Sequence, residues 1–148
     1  MSLEAKINAD LKDAMKAKDQ VALRGIRAIK SAILLQKTSG SGVELDEAGE
    51  IKLLQNLVKQ RKDSISIFET QKREDLAVVE REEVSVIERY LPQALSAAEL
   101  EALVKEVIAA VGATSKKDMG KVMAAANKKV AGKAEGAAIS AVVKNLLP

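Results

Sequence analysis

Residues 115–123 read Ser115-Lys116-Lys117-Asp118-Met119-Gly120-Lys121-Val122-Met123, and the chain runs on through Asn127-Lys128-Lys129 to Gly132-Lys133-Ala134-Glu135-Gly136. Ser115 and Asp118 have the spacing of a capping box, with Asp in place of the commoner Glu, which predicts a helix start. At about 100° per residue, Met119, Val122, Met123, Ala126 and Val130 fall on one arc. On the same count Lys117, Lys121 and Lys128 lie within roughly 40° of one another, opposite that arc. One face is built for burial and the other for something negatively charged. Gly132 is expected to end this helix and Gly136 to open the next, whose apolar positions are Ile139, Val142, Val143 and Leu146.

Working back towards the N-terminus, Ser96 and Glu99 form a second capping box, with Leu95 and Leu100 as its hydrophobic staple. The helix they open carries Leu100, Leu103, Val104, Val107 and Val111 and stops at Gly112, a natural C′ residue. Pro92 ends the helix before it. That helix bears Leu76, Val79, Val86, Ile87 and Tyr90, and Lys72-Arg73 followed by Glu74-Asp75 suits one helix ending and another beginning. Asp46 caps a long helix with Ile51, Leu54, Val58, Ile65 and Phe68 on one stripe. Ser39-Gly40-Ser41-Gly42 reads as a flexible linker or turn. Asp19 caps a helix through Leu23, Ile26, Ile29 and Ile33, and residues 3 to about 17 form a first helix on Leu3, Ile7, Leu11 and Met15. No strand-like alternation and no internal repeat is present. The expectation is an all-α protein: a four-helix N-terminal unit over 1–92, then a compact three-helix unit over 93–148.

Two charges interrupt apolar stripes. Arg61 falls between Val58 and Ile65, and Glu83 between Val79 and Val86. If these two helices form an antiparallel hairpin turning near Lys72, facing residues have numbers summing to about 144. Phe68 then meets Leu76, Ile65 meets Val79, Val58 meets Val86, and Arg61 meets Glu83. A charge on a buried stripe needs a partner, because uncompensated burial is strongly destabilising. The spacing therefore predicts an Arg61–Glu83 ion pair that fixes register; the rival reading has Arg61 reaching a ligand phosphate.

Composition narrows the function classes. The 148 residues are 47% apolar and 30% charged, which suits a helical protein with enough chain for a real core. The aromatics are Phe68 and Tyr90 alone, too few for recognition by base stacking. With no Cys and no His, thiol chemistry, zinc–thiolate sites and the usual general base are excluded. No Ser-x-x-Lys occurs, and Gly120-Lys121 is followed by Val122, so neither a serine–lysine pair nor a Walker loop is present. No catalytic residue, metal site or cofactor is expected. No apolar run approaches the ~18 residues of a span and no signal pattern opens the chain, so the expectation is a cytoplasmic protein with no membrane contact. After Pro92 eight lysines face five acids, a surplus of three that equals the net charge of the whole chain. The part before Pro92 is neutral overall.

The Asp118–Met123 run, the Gly132–Gly136 loop, and Val143-Lys144 with Leu146-Leu147 resemble the C-terminal part of the GatB/YqeY family. This family pairs the tail of the GatB component of the glutamyl/aspartyl-tRNA amidotransferase with free-standing YqeY-like proteins. Val58 to Ser64, Asp75-Leu76-Ala77 and Tyr90-Leu91-Pro92 resemble the free-standing members, so the likeness spans nearly the whole chain. Lys133 stands where Arg is usual, and Lys lacks the two-pronged phosphate contact of Arg. Glu135 stands where Asp is usual, and Ala126 is smaller than the Leu often found there. The resemblance implies contact with tRNA, and association with amidotransferase or aminoacyl-tRNA synthetase machinery. It also carries a carbon–nitrogen ligase label, with glutamine as amide donor, which belongs to the amidotransferase complex and implies association rather than activity.

From the residues, the lysines opposite the apolar arc read either as a solvated face or as a phosphate-binding stripe. The glycines read as turn punctuation or as open backbone for a phosphate at a helix start. The candidate nucleic-acid-binding residues are Lys116, Lys117, Lys121, Lys128, Lys129, Gly132, Lys133 and Gly136, reading backbone and shape rather than sequence. The alternative is a helical protein-interaction module without RNA binding.

Overall fold

The computed structural model describes residues 2–39 and 45–148. The Ser39–Gly42 turn expected from sequence therefore lies largely outside the described residues. The described chain is helical, without strands, and divides into two compact units, Met1–Leu91 and Pro92–Pro148.

The first unit holds α1 (Leu3–Ala17), α2 (Gln20–Thr38), α3 (Glu47–Thr70) and α4 (Glu74–Glu88). Three of these four helices start on a side-chain cap. Ser2 and Asp19 accept from the N–H groups of Ala5 and Ala22, and Asp46 accepts from Gly49 N at 2.8 Å. Glu50 of α3 reaches across to Leu3 N at 2.9 Å and satisfies a free donor in the first turn of α1. Between α1 and α2 stand only Lys18, in the left-handed region at φ 55°, and Asp19. Asp19 N bonds Ala14 O at 3.0 Å. A turn this tight draws the two helices together at Ala14, which is buried, while Met15, expected on the stripe, is 56% exposed. The other expected α1 and α2 positions face the core, with Leu3, Ile7, Leu23, Ile26, Ile29 and Ile33 buried and Leu11 packed against them.

α3 and α4 form the hairpin expected from their stripes, turning through Gln71, Lys72 at φ 58°, and Arg73. Leu54, Val58, Val86 and Ile87 are buried, and Ile65 packs on the same cluster. At the start of α4 the register differs from expectation. Ala77 is fully buried and Leu76 is 36% exposed.

Arg61 Nε lies 3.4 Å from Glu83 Oε2, with the two side chains 17% and 18% exposed. Arg61 also donates from Nη1 to Leu57 O at 3.1 Å. Its Nε is buried and points off the carboxylate axis, so the contact with Glu83 is Coulombic more than a hydrogen bond. The neighbouring Glu82 takes Arg24 Nη2 of α2 at 2.9 Å. Consecutive glutamates of α4 are thus gripped from α2 on one side and α3 on the other. Glu83→Gln leaves a guanidinium in a half-buried site without its counter-charge. Because the pair retains some solvent, the expected loss is about 1–2 kcal/mol, below the full penalty of a buried pair. A lower urea midpoint with unchanged slope is the expected result; an unshifted midpoint would remove the pair from the account of register.

The second unit holds α5 (Ala97–Val111), a 3₁₀ turn (Lys116–Asp118), α6 (Met119–Val130) and α7 (Gly136–Leu146). Ser96 Oγ accepts from Glu99 N at 3.1 Å while Glu99 Oε1 accepts from Ser96 N at 3.4 Å, the capping box read from sequence. Gly112 ends α5 at φ 68°. Leu100, Val104, Val107, Val122, Ala126, Val130, Ile139, Val143 and Leu147 form a core separate from that of the first unit.

Candidate nucleic-acid interface

The residues singled out from sequence begin at the entry to α6. Asp118 Oδ2 accepts from Thr114 N at 3.0 Å and from Ser115 N at 3.4 Å, and Asp118 N donates to Ser115 O at 3.0 Å. The Thr114 N–H bond, then that of Ser115 and the nearby charge of Lys121, hold the Asp118 carboxyl below its ordinary range against the opposing effect of desolvation. A depressed folded-state value means that its contribution is present above the usual carboxylate range and is lost as pH falls through the lower value.

Because this entry is a 3₁₀ turn, it advances by about 120° per residue rather than 100°. Lys116 and Lys117 are exposed, and the tighter turn shifts Lys117 by roughly 20–40° from the line of Lys121 and Lys128. Lys121 and Lys128, both exposed, lie seven residues and roughly 10 Å apart on one side of α6. Lys129 Nζ lies 3.0 Å from Glu106 Oε1 and ties the end of α6 to α5. It serves packing before it serves a ligand.

The loop after α6 also differs in detail from the expectation. Ala131 takes the left-handed cap position at φ 50°, and Gly132 follows at φ 83°, so the chain needs two consecutive positive-φ residues to turn. Lys133 is exposed, and its backbone is fixed at both ends, N to Val130 O at 3.1 Å and O from Leu95 N at 2.8 Å. Sequence reasoning missed this tether. Gly136 is the first residue of α7, and Glu135 at the N-cap makes no side-chain cap hydrogen bond there.

Gly120 and Gly136 lie in helices without positive φ, and a Cβ built on either meets nothing within 4 Å. Neither turn geometry nor packing calls for glycine at these two places. Gly136 exposes bare backbone in the first turn of α7, where N–H groups favour anions, whereas Gly120 follows a 3₁₀ turn in which Met119 N already bonds Lys116 O. Lys116, Lys117, Lys128 and Lys133 enter no ion pair among the described residues, and Lys121 engages only through the field it lends Asp118. Among the described residues no cluster of acids is placed to hold a metal.

These features define a class: a protein helical throughout its described secondary structure, whose second unit carries several exposed lysines outside the ion pairs found there. The chain belongs to the Yqey-like protein family, whose model matches residues 4–147. Among curated relatives it is 37% identical over 95 residues to altered inheritance of mitochondria protein 41, mitochondrial, of Saccharomyces cerevisiae (strain YJM789), covering 64% of this chain and 51% of that one. The proteins of the same name in Lachancea thermotolerans and Kluyveromyces lactis are 38% identical over 106 residues and 37% identical over 107 residues, each match covering 70% of this chain and 57% of the relative. The chain thus spans about half the length of the curated relatives it matches. Their names are mitochondrial, which overturns the expectation of a cytoplasmic protein. That expectation came from the lack of a span-length apolar run and of a signal pattern, and neither feature distinguishes the cytoplasm from the interior of an organelle. No helix of the described residues is long and apolar enough to cross a membrane.

Proposed function

We propose that this protein is a non-catalytic accessory module that binds tRNA through its sugar-phosphate backbone, using the second unit. The observation that carries the reading is the set of exposed, unpaired lysines Lys117, Lys121, Lys128 and Lys133 in the one unit that holds the chain's net positive charge. Phosphates reward such a surface by releasing their counterions, and sequence plays no part in that exchange. The glycine at 136 supports it, since backbone without a Cβ lets a phosphate approach the N–H groups that open α7. Lys116, Gly132 and Lys129 flank the surface and shape it. Association with tRNA-dependent amidotransferase or synthetase machinery gives such a module its task, carried by the resemblance of the tail. By the names of its yeast relatives, the compartment for that task is the mitochondrion.

The test is an electrophoretic shift of bulk tRNA at low and moderate salt. Binding that weakens steeply with salt is the expected result. A partner protein recovered equally well after nuclease treatment, with no tRNA shift, would establish the protein-interaction module instead. The second unit is further proposed to fold by itself, since its caps and core are its own. Residues 92–148 should give a helical circular dichroism spectrum, and a disordered spectrum would contradict the division.

A further inference from the structure

The first unit is neutral only in sum. Residues 1–38 carry eight cations against four acids, and residues 39–92 eight cations against twelve acids. In the acidic pair α3–α4 half of the cations, Arg61, Lys62, Arg73 and Arg81, meet carboxylates of the same pair. In the basic pair α1–α2 only Arg24 and Lys37 meet carboxylates. Lys6, Lys12, Lys16, Lys18, Arg27 and Lys30 are exposed and enter no ion pair among the described residues.

The Lys37–Glu4 ion pair tells which flank of α1 meets which flank of α2. By the helical count, Lys12 and Met15 lie on the Glu4 flank of α1, and Lys30 and Leu34 on the Lys37 flank of α2, with Arg27 beside them. These positions present to one side of the hairpin, and the acid there, Glu4, is already paired. A surface of unpaired cations fits a polyanion. We infer that this side of α1–α2 is a second RNA-backbone surface, an inference that rests on the proposed tRNA binding and extends it to the first unit.

A lipid surface has related chemistry but fits less well. A helix that lies in a membrane interface needs its apolar face free. The apolar faces of α1 and α2 are taken up by the core, leaving single aliphatics such as Met15 and Leu34 on this side.

The test measures binding of labelled bulk tRNA to the full chain by anisotropy over a range of salt. Lys12→Gln, Arg27→Gln and Lys30→Gln combined should weaken binding and make the log–log salt slope shallower by about 2–3, roughly 0.7–0.9 per lost contact. All three side chains are exposed, so the helical spectrum should be unchanged. If this variant keeps native affinity and slope while Lys121→Glu with Lys128→Glu loses both, the inference fails and the tail reading stands. The converse pattern supports the hairpin surface and removes the tail. No affinity of the native chain for tRNA overturns both. Flotation of the native chain with phosphatidylglycerol–phosphatidylcholine vesicles, lost in the triple variant while tRNA affinity holds, would give the surface to a membrane and overturn it.

Discussion

Gly25→Ala should destabilise the protein by about 2–3 kcal/mol, where the same change in an ordinary helix interior stabilises by roughly 1 kcal/mol. A Cβ at position 25 would lie 2.5 Å from both Cβ and Cγ1 of Val86. Real carbon contacts do not approach so closely, so α2 and α4 must separate. Separation loosens Ile29, Ile87 and Val86, which are among the most completely buried side chains. Shortening the partner offers little relief, because Val86 Cβ itself is one of the two atoms in the way. Chemical denaturation of Gly25→Ala, alone and with Val86→Ala, is the measurement. A midpoint at or above the native value would show that the helices do not meet at Gly25.

The second large effect concerns binding. Lys121→Glu with Lys128→Glu should weaken tRNA affinity by roughly tenfold or more at low salt, equally for every tRNA tried, since two phosphate contacts become two repulsions. Both side chains are exposed, so stability should stay within about 0.5 kcal/mol of native. Discrimination among tRNAs in the variant would point to base readout, which these lysines were not assigned. Unaltered affinity would remove the row from the binding surface.

Much of the fold was legible because helix boundaries depend on short-range chemistry. Asp19, Asp46 and the Ser96–Glu99 box act within three residues of themselves, and Gly112 ends a helix by its own φ. The Arg61–Glu83 contact could be read because charges inside two stripes must meet when the hairpin closes. Gly25 could not be read in this way. A glycine within a helical pattern signals close approach without saying to what, and Val86 is 61 residues away. Met15 and Leu76 were misplaced for a similar reason: each lies beside a tight connection, at Lys18–Asp19 and Lys72–Arg73, and crossing distance is not written in periodicity.

The candidate interface was legible as a charge surplus and a glycine pattern, less so as geometry. Uniform counting from Ser115 puts Lys117 in line with Lys121, and the 3₁₀ turn moves it off that line by roughly 20–40°. Lys129 is equivalent to Lys128 in sequence, yet only Lys129 has Glu106 of α5 beside it. The basic character of α1–α2 was hidden by summing over the whole N-terminal unit, where the acids of α3–α4 cancel it.

We propose that this chain holds RNA backbone through the lysines of its second unit. The most direct test is the salt dependence of tRNA affinity for the native chain and for a variant with Lys117, Lys121, Lys128 and Lys133 all changed to Gln. Four lost phosphate contacts should make the log–log slope shallower by roughly 3–4 between about 50 and 200 mM salt. Equal slopes for the two proteins, or a native chain without tRNA affinity, would contradict the account.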